Sequence, residues 1–392
     1  MRGILRLAGL GVLLVAAGTG AAACRRGDPP QRPIDASIDV AGALGGAADA
    51  GFRRADRPRE LAFPSDHGPH DGFRTEWWYL TGNLETASGR PFGYQLTFFR
   101  QALAAEVVAS DSAWRSGHVW MGHLAVTDVA GERFRAFERF SREALGLAGA
   151  QAEPFRVHLE DWRISADDRT WRPLELVAGA GEIRLELALE PAGAPWLQGD
   201  RGLSRKGRDP GNASYYYSMP RLATRGRITW GDQRFEVSGL SWLDREWSTS
   251  ALDDGVAGWD WFALHLDDGS DLMLYRLRRA DGSSAPESAG ALRRPDGSEV
   301  RLANGDFELT PIGTWRSPRG GDYPAAWRIS IPAREIELAI APRLADQELA
   351  LAVRYWEGAV TARGTRGDAP LAGAGYLEMT GYAGSAQPGS SR

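Results

Sequence analysis

The chain has 392 residues, a formal charge of -5, no basic cluster and a single cysteine. That balance excludes a nucleic-acid binder held by phosphate attraction, and one cysteine excludes an intrachain disulfide. After the first two dozen residues no segment is long and apolar enough to cross a bilayer as a helix.

The chain opens like an export signal. Arg2 and Arg6 precede an apolar run from Leu7 to Gly18 that is too short to span a membrane. Small residues then lead to Ala21-Ala22-Ala23-Cys24, which fits a lipoprotein processing site. Residues 1–23 are read as a signal sequence and Cys24 as the acylated membrane anchor, with ordinary cleavage nearby as the alternative. The protein is therefore expected to be exported and anchored to a membrane, facing the periplasm or the exterior. Residues 24–60 are rich in Gly, Ala, Asp, Pro and Arg, with Phe52 the only aromatic. Such a segment buries too little apolar area to offset its ordering entropy, which predicts a flexible tether.

Beyond residue 60 the pattern is that of strands. Ile183, Leu185, Leu187 and Leu189 alternate with Glu182, Arg184, Glu186 and Ala188, and Ile336, Leu338 and Ile340 repeat the alternation later. Turn pairs punctuate the runs at Ser88-Gly89, Gly231-Asp232, Asp268-Gly269, Asp281-Gly282 and Asp296-Gly297. Only Ser141 to Leu147 carries a helical signal. Glu76-Trp77-Trp78-Tyr79-Leu80 and Asp260-Trp261-Phe262-Ala263-Leu264 share an acid, tryptophan, aromatic, any, leucine pattern, and a turn and an apolar strand follow each. This predicts an all-β, duplicated architecture of barrels, with domains at 61–241 and 242–385. The polar stretch from Gln198 to Ser214, which runs into Tyr215-Tyr216-Tyr217, is a candidate lid or barrel mouth.

Four ordered blocks carry a family resemblance. They are Asp66-His67-Gly68-Pro69-His70 with Glu76-Trp77-Trp78-Tyr79-Leu80-Thr81-Gly82; His123-Leu124-Ala125-Val126-Thr127-Asp128; Gly202-Leu203-Ser204-Arg205-Lys206-Gly207 with Tyr216-Tyr217-Ser218; and Trp242-Leu243-Asp244-Arg245-Glu246-Trp247-Ser248 with Gly258-Trp259-Asp260-Trp261. Over residues 61 to 382 the chain resembles the AttH family of exported lipocalin-like proteins, which is similar to the carotenoid 1,2-hydratases. The resemblance implies two consecutive lipocalin-like barrels packed together. The hydratases protonate a carbon–carbon double bond and add water to the resulting cation. Their pattern places a histidine two residues before the matching tryptophan, where this chain has Arg245, a side chain that stays protonated and is a poor general acid.

Protonating an alkene in an apolar barrel needs a carboxylic acid kept neutral by desolvation and aromatic faces to stabilise a cation. Asp244 and Glu246, with Trp247, Asp260 and Tyr275, are the candidate catalytic residues, and Trp77, Trp78, Tyr79, Tyr217, Trp242, Trp259 and Trp261 the candidate ligand-binding ones. In a strand, Trp242, Asp244 and Glu246 share one face while Leu243, Arg245 and Trp247 share the other, so either the carboxylates or the arginine face the lumen. The alternative is that Asp244, Arg245 and Glu246 form a salt-bridged network that locks the two domains. His70, Glu76 and His123 are further polar candidates; His123 also fits a hydrogen-bonded core histidine. No metal site or cofactor is expected, and the G-x-S-x-G and H-E-x-x-H hydrolase signatures are missing. Three functions fit this reading. The first is a lipid-anchored carrier of an apolar or amphipathic small molecule such as a lipid or polyene. The second is a hydratase or isomerase on an apolar unsaturated substrate, and the third a structural cell-envelope protein with filled barrels.

Overall fold

A computed structural model describes residues 50–106, 111–166, 171–249, 252–253 and 255–383. The signal sequence, Cys24 and the tether as far as residue 49 lie outside the described residues. In chain order the first sheet is built from β1 (Thr75–Thr86), β2 (Pro91–Ala102), β3 (His118–Asp128), β4 (Arg133–Arg142), β5 (Ala148–Gln151), β6 (Arg156–Leu159), β7 (Trp162–Ser165), β8 (Leu174–Ala180), β9 (Ile183–Pro191), β10 (Trp196–Leu197), β11 (Leu203–Arg205), β12 (Ala213–Trp230) and β13 (Gln233–Ser248). The second contains β14 (Val256–Leu266), β15 (Asp271–Arg279), β16 (Ala289–Arg293), β17 (Glu299–Ala303), β18 (Glu308–Arg316), β19 (Asp322–Ile331), β20 (Ile336–Pro342), β21 (Glu348–Ala350), β22 (Arg354–Arg366) and β23 (Ala369–Met379). The helical signal near Ser141 shrinks to a short 3-10 turn at Ala144–Gly146.

Both sheets are antiparallel, curl like barrels and run in corresponding order. The first reads β4-β3-β2-β1-β13-β12-β9-β8, and the second β17-β16-β15-β14-β23-β22-β20-β19. The repeated motif occupies the matching strands β1 and β14. Glu76 lies opposite Arg100 on β2, and Asp260 lies opposite Arg276 on β15. The hairpin after each motif turns on a glycine at positive φ, Gly89 or Gly269, which no side chain need strain to occupy.

Strands that face solvent on one side alternate cleanly: Ile183, Leu185, Leu187 and Leu189 of β9 are buried, and Arg184 is exposed. β1 shows no such alternation because both of its faces are covered. Its Trp78 and Leu80 point into the first lumen, while Tyr79, with Trp77 packed beside it, meets the second sheet. The lumens are packed with side chains. Trp78, Trp120, Trp162, Trp230 and Trp247 fill the first, and Trp327 and Trp356 lie in the second.

Two expected boundaries move. The second domain does not begin at residue 242: β13 pairs with β1 from Val237 to Ser248 and with β12 from Gln233 to Ser248, so it belongs wholly to the first sheet. The first strand of the second sheet starts at Val256. The end of the expected tether is also packed. Ala55 is fully buried and bridges to Gly211, Arg59 donates to Asp66 Oδ2 at 3.1 Å, and the Thr249 hydroxyl donates to the Arg53 carbonyl. A buried alanine, an arginine that donates to a buried carboxylate and a backbone carbonyl that accepts from a buried threonine order a segment whose composition predicts none. The polar stretch after Gln198 likewise folds, β10 and β11 both pairing with β12.

Candidate active site

A cavity of about 460 Å³ lies at the seam between the sheets, not in either lumen. The first sheet contributes Trp77 and Tyr79 of β1, Phe99 of β2, His123 of β3, Tyr216 of β12, and Asp244 and Glu246 of β13. The second contributes Trp259 and Trp261 of β14, Tyr275 of β15, Tyr355 and Glu357 of β22, and Glu378 of β23. Lys206, just past β11, closes one side. Its volume is in the range of sites for small organic molecules.

Four carboxyl groups and one ammonium enter this aromatic space, whose lining also includes Arg74 and Arg100. Asp244 accepts from the Tyr216 hydroxyl at 2.6 Å and from Trp242 Nε1 at 2.7 Å. Burial nevertheless pushes its carboxyl up to about 7, with Glu246 adding repulsion, so near neutral pH it exchanges between acid and carboxylate. Glu246 accepts from the Ser214 hydroxyl and stands 3.4 Å from Lys206 Nζ. Lys206 lies 4.0 Å from the centroid of the Tyr275 ring; burial opposes its charge, but Glu246, Tyr275 and Asp244 together outweigh burial and favour the ammonium.

The second pair sits on neighbouring strands, Glu357 of β22 directly opposite Glu378 of β23. Glu357 accepts from the Tyr79 hydroxyl at 2.6 Å, and burial together with Glu378 pushes it well above the usual carboxylate range. Glu378 is hydrogen-bonded to Trp259; burial, then Glu246 and Asp244, push it up to about 7. The site therefore holds carboxyls whose proton affinity is raised toward or above neutral pH beside a glutamate paired with lysine. That is the separation of roles acid–base catalysis needs.

The face of β13 left open by the sequence is resolved. Asp244 and Glu246 face the seam, and Arg245 faces the first lumen. Trp77, Tyr79, Trp259, Trp261 and Tyr275 join them at the cavity, and Trp242 packs behind it. Trp78, Tyr217 and Trp247, expected to bind ligand or act in catalysis, are core residues of the first lumen. Asp260 is likewise removed from the site, since its carboxylate binds Arg276 at 2.7 Å and the Tyr382 hydroxyl at 2.9 Å.

Of the other polar candidates, Glu76, His70 and Arg245 form one lumen cluster, while His123 lines the cavity. Glu76, fully buried, accepts from Arg100 Nε at 2.5 Å and from Arg245 Nη2 at 3.0 Å. Burial alone would raise its carboxyl, but the two guanidiniums hold it well below the usual range. His70 stacks on Trp247 at 3.8 Å and reaches Asp66 at 2.9 Å. His67 stacks on Trp171 and is hydrogen-bonded to the Tyr217 hydroxyl at 2.6 Å. The Asp66-His67-Gly68-Pro69-His70 block thus seals the lumen against β1 and β13.

The salt-bridge network expected of Asp244, Arg245 and Glu246 as a lock between domains is not formed, because alternate strand residues point to opposite faces. The sheets are held by other contacts: Tyr79 to Glu357, Thr127 Oγ1 to Gln347 at 2.8 Å, Asn83 Nδ2 to the Gly375 carbonyl at 3.0 Å, and Arg221 to Asp271 at 2.9 Å. Glu357, Glu378 and Lys206 as partner of Glu246 escaped the sequence reading. A signal existed: Tyr355-Trp356-Glu357 and Tyr376-Leu377-Glu378 each put an acid into an aromatic strand, as Trp242-Leu243-Asp244 does.

The AttH-like family profile matches residues 54–382. No curated protein matches the chain. Among solved structures, one from Nitrosomonas europaea named for AttH shares 38% identity and superposes with a TM-score of 0.75, covering 84% of this chain and 100% of its own. Kievitone hydratase from Nectria haematococca, at 14% identity and a TM-score of 0.65, covers 86% of this chain and 98% of its own. CghA, at 13% identity and 0.51, covers 88% and 99%. The last two show a shared fold. With its two curled sheets, its matched blocks and a profile that spans both sheets, the chain belongs to the AttH-like family.

Proposed function

We propose that the protein is an acid–base enzyme of the hydratase or isomerase type, acting on a compact, largely apolar unsaturated molecule held at the seam. The observation that carries this is Asp244: a buried carboxyl near neutrality, fixed by Tyr216 and Trp242 and facing an aromatic cavity. Asp244 gives its proton to one carbon of a double bond, the π electrons forming the new C–H bond. The cation on the neighbouring carbon faces Trp259, Trp261 and the carboxylate of Glu246. Water adds its lone pair there and loses a proton to Glu246; loss of an adjacent carbon-bound proton instead gives the isomer. Asp244 and Glu246 share one face of β13 with Tyr216 beside both, so the proton returns without leaving the cavity.

A carrier needs only the aromatic walls. Buried carboxyls with raised pKa values weaken the fold, and chemistry is the reason to retain them. Export and anchoring through Cys24 complete the proposal and rest on the sequence. The test is native mass spectrometry of protein from its own host, extraction of the co-purified molecule, and incubation of that molecule with the enzyme in heavy water. Wild type should place carbon-bound deuterium in it and Asp244→Asn should not. A molecule bound by both and altered by neither supports the carrier reading instead.

A further inference from the structure

His123 lines the cavity, and its two ring nitrogens face Tyr355 on one side and Glu138 on the other. Its ring is fully buried in β3, edge-on to Phe99 with the ring centroids 5.5 Å apart and Thr97 opposite it on β2. Nδ1 lies 2.8 Å from the Tyr355 hydroxyl. Nε2 has no hydrogen-bond partner among the described residues, and it points at Glu138 Oε2, 3.8 Å away. Glu138 is directly opposite on β4, its side chain is about a quarter exposed, and the Ala352 amide holds it at 3.1 Å. On the other side, the Tyr355 hydroxyl is hydrogen-bonded to Glu357.

We propose that Glu138, His123 and Tyr355 form a proton relay between solvent and Glu357, crossing from the first sheet to the second and bypassing the cavity mouth. The inference rests on the acid–base reading of the cavity, and it names how those acids equilibrate with water while a substrate fills the site. The second nitrogen of a purely structural buried histidine is normally closed by a hydrogen bond, and here it faces, at 3.8 Å, a carboxylate that reaches solvent. Burial lowers the affinity of His123 for a second proton, so its resting form is a neutral imidazole with one nitrogen free to accept. A proton taken up at Glu138 passes to Nε2. The Nδ1 proton moves to the Tyr355 oxygen, and the Tyr355 hydroxyl proton moves to Glu357. Run backwards, the same hops discharge it. One proton is transferred and the imidazole changes tautomer.

The relay is tested without substrate by stopped-flow infrared spectroscopy of the folded protein after a pH jump. The carboxylic-acid carbonyl band absent from Glu357→Gln reports Glu357. Glu138→Gln, His123→Gln and Tyr355→Phe should slow its protonation by about 10²-fold, the lower end of what a positioned proton-transfer group contributes. Glu138→Gln is decisive should a core variant fail to fold, since the amide oxygen still accepts from Ala352. Wild-type relaxation in Glu138→Gln and His123→Gln overturns the relay. Slowed relaxation without deuterium transfer to the co-purified molecule leaves the relay standing and removes the hydratase reading; unslowed relaxation with deuterium transfer does the reverse.

Discussion

Asp244→Asn separates a catalytic acid from a structural carboxylate by the sign of its effect on stability. The Asp244 carboxyl moves from 3.8 to about 7 on folding, because burial penalises its charge and Glu246 repels it. A folded pKa above the unfolded one means the folded state binds the proton more tightly between those values. Stability therefore falls as pH rises across that window and stays lowered above it. Three units correspond to about 4 kcal/mol at ~1.4 kcal/mol each. Asparagine is nearly isosteric and uncharged, keeps an oxygen for Trp242 Nε1, and presents an N–H that the Tyr216 oxygen accepts. The variant should match wild type at about pH 4 and exceed it by up to ~4 kcal/mol at about pH 8. Urea unfolding followed by tryptophan fluorescence at both pH values measures this. Turnover of the co-purified molecule should drop by about 10²–10⁴-fold. A variant ~3–5 kcal/mol less stable than wild type near pH 8 would mean an ionised, paired carboxylate and would refute the reasoning.

Glu76→Gln leaves Arg100 and Arg245 without their shared carboxylate in the lumen and should cost about 3–5 kcal/mol in urea titrations, with no gain at any pH. Acid unfolding should show the opposite linkage: Asp66 and Glu76 are held below their ordinary values, so the stability they add is present above the normal carboxylate range and lost progressively as pH falls from that range through their depressed folded values. Gly93→Val should wedge the seam, since even a Cβ there meets Ala359 Cβ at 2.7 Å; about 1–3 kcal/mol of destabilisation is expected by thermal melts. Limited proteolysis of the intact protein should stop at about Arg53, where packing begins, and continued trimming to residue 60 would contradict the bridge at Ala55. Cys24→Ala should leave an unprocessed or soluble protein while wild type partitions with membranes, and a wild type already free in the soluble exported fraction excludes the anchor.

The all-β class and the duplication were legible because period-2 alternation survives wherever one face of a strand is wet, as in β9. The position of the site was not. Glu76-Trp77-Trp78-Tyr79-Leu80 carries no alternation, and a strand covered on both faces looks the same whether its second cover is a lumen or a neighbouring sheet. The same ambiguity hid the fate of β13. Its two faces could be separated by parity, but only the pairing of β1 with β13 and the docking of β14 beside them decide that Asp244 meets the seam. Glu357 and Glu378 were hidden for a different reason. They lie more than a hundred residues from Asp244, and nothing local in a strand reports which distant acid it will face.

A site divided along the seam also changes what the chain's connectivity does. Each half carries an incomplete set of groups: Asp244, Glu246 and Lys206 on one, Glu357, Glu378 and Trp261 on the other. The few residues between Ser248 and Val256 convert what would be an encounter of two proteins into an intramolecular one, held at high effective concentration. Cutting the chain there would make the proposed activity obey mass action, falling on dilution and returning on mixing, while each lumen kept its own packed core. The duplication thus behaves as a fused heterodimer, in which one half can diverge to suit a new ligand while the other keeps its charge arrangement.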